Sequence, residues 1–287
     1  MSDAVKERVV LAPNPSALTG PGTNSFLLGT REVAVIDPGP DIPAHLDAVV
    51  AAAGGAGRIS HILVTHAHLD HSGGARTLSR MTGAPVLAFG DAGAGRSPTM
   101  ARLAGQGTQG GEGVDRDFAP DIVLADGAVV ETAEWRLTAI HTPGHMGNHL
   151  SFAAADTIFC GDLVMAWATT LISPPEGDLA DFLRSLDRLA ALGPARLLPA
   201  HGPAVTDPPA RLAELATHRR ARTAQVMAAL RDAPDDPAGL AARIYDVPPE
   251  LLPAAARNVL AHLIALCDLG AVRAEGAQLS TAIWHAA

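Results

Sequence analysis

The chain is short of cysteine, lysine and long apolar runs, and each shortage excludes something. Its 287 residues hold two cysteines, Cys160 and Cys267. They form no CxxC pair, which argues against a thiolate zinc site. A disulfide between them has no support, and a reducing compartment suits them better. Of 21 basic residues only Lys6 is a lysine; with the abundant Ala and Gly, this marks compositional bias rather than function. The formal charge of -9 argues against attraction of nucleic acid over the whole surface, while leaving room for a local site. "MSDAVKERVVLAPNP" has no basic segment followed by an apolar run, so it does not read as a secretory signal. No apolar stretch reaches about 18 residues, so no membrane span and no membrane partner are expected. A cytoplasmic protein is the expectation. The apolar share of 48% suffices for a packed core, and the length suits one large domain or two unequal ones.

The order of elements predicts an α/β domain. "RVVLAP", "NSFLLG" and "EVAVID" are short apolar runs bounded by Pro, Gly or Asn and read as strands. "AHLDAVVAAAG" suits a helix ending near Gly54, and "ISHILVT" a strand buried on both faces. "SGGARTLSRMTG" reads as a helix and "PVLAF" as a strand. Residues 90–120 read as a long loop with room for one helical turn, of the kind that lines a site or is mobile. Their "GQGTQG" matches G-x-G-x-x-G, but no strand precedes it and no helix follows, so a dinucleotide site fails its context. Further strands and an amphipathic helix, "GDLADFLRSLDRLAALG", alternate up to about residue 206. Beyond that point three helices and a short hairpin follow, the order of a winged-helix module. The expected domains are 1–206 and 207–287.

The chemistry gathers in four places. "HAHLDH" gives His66, His68, Asp70 and His71 directly after an apolar run. In extended backbone, positions i and i+2 point to the same side, so His66 and His68 can face one ion. Asp70 and His71 can face a second as the chain turns. "HTPGHMGNH" gives His141, His145 and His149, "CGD" gives Asp162, and "PAHGP" gives His201. Each follows a strand, where loops gather at one sheet edge. A surface histidine patch would explain one such cluster and not four. Imidazole with carboxylate suits zinc, and also iron or manganese. No G-x-S-x-G elbow is present, which disfavours a serine nucleophile. Ser72 reads as a helix-capping hydroxyl, and Thr23 and Asn24 as a turn.

The series HxHxDH, TPGHxxxH, GD and AHG resembles the metallo-β-lactamase superfamily over the first two-thirds of the chain. "NPSALTGPGTNSFLLG" and the helical tail narrow the resemblance to the β-lactamase-like protein 2 subfamily, some of whose members are endoribonucleases on single-stranded RNA. It implies an αββα sandwich followed by a small winged-helix domain. It also implies two divalent metal ions, zinc first, with Mn2+ or Fe2+ as alternatives. His66, His68 and His145 would bind one ion, Asp70, His71 and His201 the other, and Asp162 both. Two such ions can activate a shared water for hydrolysis. Asp70 would orient that nucleophile and move its proton. His141 and His149 would orient ligands, with His149 also a candidate for protonating the leaving group. His61 reads as a core residue, and His45, His218, His262 and His285 as ordinary surface or helix histidines.

Three functions are weighed. One is cleavage of RNA phosphodiesters. Two divalent ions less Asp70, Asp162 and a hydroxide leave about one positive charge in the pocket, which admits anionic esters. The tail supports this weakly: Arg219, Arg220 and Arg222 are its nearest approach to a basic patch, and acids match its arginines in number. The tail would otherwise pack on the catalytic domain, wall the cleft or form a homodimer surface. The second is hydrolysis of a small carboxyl ester, thioester, lactone or β-lactam, with selectivity set by loops 90–120 and 165–178. The third, a non-catalytic nucleic-acid-binding metalloprotein, fits poorly, because structural zinc sites are normally closed.

Overall fold

Two β-sheets lie face to face with helices on their outer sides. The computed structural model describes residues 6–287 apart from Gln109 and Glu112. Six strands make the first sheet, in chain order: β1 (Arg8–Leu11), β2 (Asn24–Leu28), β3 (Val33–Ile36), β4 (Ile59–Leu63), β5 (Val86–Ala88) and β6 (Ile122–Val123). β1 to β3 are antiparallel neighbours and β3 to β6 run parallel. The second sheet has the order β11 (Arg196–Pro199), β10 (Thr157–Gly161), β9 (Leu150–Ala154), β8 (Arg136–His141), β7 (Val129–Glu131). Only its β10–β11 pair is parallel.

Phe26, Leu63, Leu137, Phe152, Phe159 and Leu198 fill the space between the sheets. Phe26 and Phe159 meet edge to face across it at 5.1 Å. Burying each such side chain is worth about 1.5–3 kcal/mol, so this layer fixes which strand ends meet. α1 (Pro43–Ala53) and α3 (Ala75–Thr82) cover the first sheet, and α5 (Leu179–Leu192) covers the second. α1 stops at Gly54, in the left-handed conformation, as its sequence predicts. The helix expected over residues 72–83 is split: a single turn, α2 (Leu69–Ser72), precedes α3.

Residues 90–120 differ from the expected loop. They contain α4 (Pro98–Gly105), started by Ser97, whose side chain accepts from the Met100 N–H. Met100 and Leu103 bury themselves against Val226, Leu230 and Leu260 of the C-terminal segment. Their partners lie more than 120 positions away, so no local periodicity announces them. The G-x-G-x-x-G stretch begins where α4 ends, with a helix before it instead of a strand; Gln109 within it lies outside the described residues.

The C-terminal segment has α6 (Pro208–Asp232), α7 (Pro237–Ile244), α8 (Leu252–Asp268) and a hairpin of β12 (Val272–Glu275) and β13 (Ile283–Ala286). α6 bridges two cores. Leu212 and Leu215 pack with α5, while Val226 and Leu230 pack with α8 and Trp284. Residues 249–268 are long and apolar enough to cross a membrane by length and composition, although no single apolar run predicted this. Val259, Leu260, Leu263 and Ile264 are buried in the module's own core, as in the core helix of a folded domain.

Candidate metal centre and catalytic cleft

All four sequence clusters meet at one end of the sandwich. His66, His68, Asp70 and His71 follow β4, His145 lies between β8 and β9, Asp162 follows β10, and His201 follows β11. Three overlapping groups each have ligand atoms within 4.8 Å of one another: His66, His68 and His145; His66, His71 and Asp162; Asp70, His71 and His201. His66 joins the first group to the second, and His71 joins the second to the last.

Hydrogen bonds set the ring tautomers. Thr65 Oγ1 donates to Asp37 Oδ2 (2.8 Å), so it accepts from His66 Nδ1–H (3.0 Å). His71 Nδ1–H donates to Asp37 Oδ2 (3.0 Å), His145 Nδ1–H to the Leu171 carbonyl (2.8 Å), and His201 Nδ1–H to the Gly22 carbonyl (3.2 Å). In its neutral form each of these four rings keeps its lone pair on Nε2, facing the centre. His68 presents Nδ1 instead, 2.9 Å from His66 Nε2 and 3.0 Å from His145 Nε2. One proton cannot satisfy three ring nitrogens crowded this closely. His71 Nε2 and Asp162 Oδ1 are buried without a hydrogen-bond partner among the described residues. Converging lone pairs and orphaned buried donor atoms are what divalent cations require, and the cluster fits them.

Charge divides the cluster in two. Burial pushes His66 well below the usual histidine range and His68 down to about 3, with neighbouring imidazoles adding to the effect. Burial also lowers His145. These three rings are neutral and ready to donate lone pairs. Burial opposes charge on His71 too, but Asp70, Asp162 and Asp37 outweigh it and raise that ring well above its usual range. His201 is likewise raised to about 10: burial is outweighed by Asp162 and Asp70. His201 Nε2 lies 3.2 Å from Asp70 Oδ2 and 3.4 Å from Asp162 Oδ1. Burial alone would raise both carboxyls, yet His71 and His201 hold them below the carboxylate range. Without cations, protons on His71 and His201 balance the two acids.

Several residues have other places than expected. His149 is fully buried beneath Asp162. Its Nε2 accepts the Asp162 backbone N–H (3.2 Å), and its Nδ1 meets Thr142 Oγ1 (3.0 Å). Both nitrogens are engaged, which fits an orienting role and leaves none for a leaving group. Gly161, at φ 48, permits this approach: a Cβ there would sit 2.5 Å from His149 Nε2. His141 touches no ligand; it stacks on Phe89 and donates to the Gly147 carbonyl. Ser72 ends α2 instead of starting a helix, and donates to the His68 carbonyl and Asp115 Oδ2. Thr23 and Asn24 are more than a turn. Thr23 bridges to His201, and Asn24 Nδ2 donates to the Pro199 and Gly202 carbonyls, which fixes the His201 loop. His45 and His262 are buried, bonded to Ser25 and Thr223, while His61 meets Trp135 edge-on. His218 and His285 are half-buried, away from the cluster. The arginine trio is no basic patch: Arg219 is 2% exposed, and Arg222 lies over the Tyr245 ring at 3.9 Å.

A cleft of about 450 Å³ opens over the cluster. His68, Asp70, His145, Asp162 and His201 form its base, and Leu18, Met165, Trp167 and Leu171 its apolar walls. No lysine or arginine lines it among the described residues. Glu176 does: it is buried, its carboxyl is pushed up by burial, and its Oε2 has no partner among the described residues. Sequence reasoning missed Asp37 and Glu176. A carboxylate directly after an apolar strand, in "VIDPG", was the available signal for Asp37; nothing local marked Glu176.

Comparison with known proteins agrees with this geometry. The pattern of the metallo-beta-lactamase superfamily matches residues 18–201, and that of the beta-lactamase associated winged helix domain matches residues 237–284. The chain is 29% identical to the beta-lactamase-like protein 2 homolog of Drosophila melanogaster, over 92% of this chain and 88% of that one. It is 32% identical to the atrochrysone carboxyl ACP thioesterase of Aspergillus chevalieri, over 80% and 67%. A metallo-beta-lactamase family protein from Thermus thermophilus superposes with a TM-score of 0.78 at 26% identity, covering 98% of each chain. The chain belongs to the metallo-β-lactamase superfamily, as a metal-dependent hydrolase with a C-terminal winged-helix domain.

Proposed function

We propose that this protein hydrolyses a carboxylic ester or thioester with an apolar acyl group, within a catalytic domain of residues 1–206. The observation that carries this reading is the cleft, whose described lining has apolar walls and no lysine or arginine over the histidine and aspartate cluster. Ligand sites of this size are mostly apolar with a few placed polar groups. Phosphodiester binding draws on lysine and arginine. The similarity to a protein named as a thioesterase points the same way.

His66, His68 and His145 would hold one divalent cation, Asp70, His71 and His201 a second, with Asp162 in reach of both. Three imidazoles beside an imidazole–carboxylate set suit zinc, with iron or manganese as alternatives. When bound, such a pair lowers the pKa of water and polarises the scissile carbonyl. The chain's own side chains do the rest. Leu18, Met165 and Trp167 hold the acyl group and exclude water. Asp70, which lines the cleft, accepts the proton of the attacking water. Glu176 keeps a proton to higher pH than an exposed glutamate and can pass it to the departing thiol or alcohol.

The test is a parallel assay of one preparation on a thioester, an ester, a lactone, a β-lactam and single-stranded RNA, with metal analysis of the same sample. Thioester or ester turnover should dominate and follow metal content. RNA cleavage exceeding both would overturn the substrate reading.

A further inference from the structure

We infer that the C-terminal segment is a structural part of the reaction centre: Arg211, Arg219 and Asn258 hold residues 165–172 so that this stretch walls the cleft and orients His145 and Asp162. The inference rests on the ligand assignment proposed above. Two layers of hydrogen bonds meet on the stretch. On the inner side, the Leu171 carbonyl accepts from His145 Nδ1–H at 2.8 Å and so fixes that ring's tautomer. Thr170 Oγ1 donates to the Asp162 carbonyl at 2.7 Å, bracing the backbone that carries the Asp162 carboxylate. On the outer side, every partner comes from α6 or α8. Arg211 donates to the Met165 carbonyl through Nε and to the Ala168 carbonyl through Nη2. Arg219 Nη2 donates to the Thr170 carbonyl. Asn258 Oδ1 accepts both Arg219 Nη1 (3.2 Å) and the Ile172 backbone N–H (3.1 Å).

Met165, Ala168 and Leu171 line the cleft, so the same bonds shape the wall the substrate meets. The stretch has no strand or helix of its own, and its carbonyls need these outside donors. Arg219 is a buried cation, costly unless its donors are met. The Asn258 side chain and the Thr170 carbonyl take its two Nη groups and the Phe182 ring lies 5.3 Å away, while Nε has no partner among the described residues. A nucleic-acid-reading tail would turn such arginines outward; here Arg211 and Arg219 turn toward the catalytic domain.

Arg211, Arg219 and Asn258 are thus positioning residues, and metal affinity reports on them separately from activity. The experiment takes the full-length chain and measures zinc affinity by competition with a chromophoric chelator, alongside kcat and thermal midpoint. Arg219→Met and Asn258→Ala should weaken zinc binding by up to about tenfold, the low end of the loss for a direct partner of a ligand, because both act through residues 170–172. Arg219→Lys should recover part of it. Leu230→Ala, in the tail's own core, should lower the thermal midpoint and leave zinc affinity unchanged. Should Arg219→Met not fold, Asn258→Ala carries the test. Wild-type zinc affinity in the folded Arg219→Met and Asn258→Ala variants, or an equal loss in Leu230→Ala, overturns the inference. Wild-type metal retention by Asp162→Ala overturns the ligand assignment, and the inference with it.

Discussion

Asp37 touches no substrate, yet replacing it with asparagine should disable one metal position. Its Oδ1 accepts the Thr65 backbone N–H (2.7 Å), and its Oδ2 accepts from Thr65 Oγ1 (2.8 Å) and His71 Nδ1 (3.0 Å). Asparagine has nearly the same shape and keeps the first bond. Its amide group would then meet His71 Nδ1–H, donor against donor, in a site where His71 is fully buried. The ring can escape by moving its proton to Nε2, the atom it must keep bare to bind a cation. Losing such an orienting partner costs about 10–100-fold in metal affinity, or about 1.4–2.7 kcal/mol at 1.36 kcal/mol per tenfold. An unsatisfied buried donor adds about 1–3 kcal/mol of lost stability. Competition with a chelator, read in two steps, should show the second equivalent of zinc weakened most, with a smaller loss at the three-histidine equivalent, because His66 reaches Asp37 through Thr65 Oγ1. Wild-type affinity at both steps would refute the tautomer argument.

Asp162→Ala should abolish turnover and lower metal content, measured by elemental analysis; a variant as active as the parent removes the residue from the centre. Glu176→Gln should lower kcat by about 10²–10⁴-fold if it donates a proton, and less for a thioester with a more acidic leaving thiol; a loss independent of the leaving group contradicts that role. Trp167→Ala should raise KM for a long apolar acyl chain by about tenfold, an order typical of a buried apolar contact, and change KM for an acetyl ester little. His262 gives a pH prediction. Burial and nearby arginines lower it from 6.5 to about 3. The unfolded chain therefore takes up this proton first as pH falls. His262 leaves stability intact above pH 6.5 and erodes it progressively below, by up to about 1.4 kcal/mol per pH unit toward pH 3. Urea unfolding of the metal-free protein should fall less steeply with acid in His262→Leu than in the parent; parallel profiles contradict this.

The parts of the fold legible in the sequence were those with a local signature. Strands β2 to β4 are short apolar runs with clear stops, and α5 carries its own apolar stripe and an Asp178 cap. The four clusters were legible as a site because each follows such a run, so their convergence needed only the sheet. What stayed hidden depends on distant partners. α4 owes its place to Met100 and Leu103 meeting the tail. His149 and His141 look alike in "HTPGHMGNH", yet one supports Asp162 and the other stacks on Phe89. Arg219, Arg220 and Arg222 look like a basic patch until α6 docks and buries the first. Glu176 gains its role from being enclosed, which composition cannot express.

The central claim is that seven side chains from four strand ends hold two cations side by side. Anomalous diffraction from crystals grown with zinc tests it most directly. The account predicts two peaks, one among His66, His68 and His145 and one among Asp70, His71 and His201, with Asp162 within reach of both. A single peak, or zinc bound away from Asp162, would contradict it.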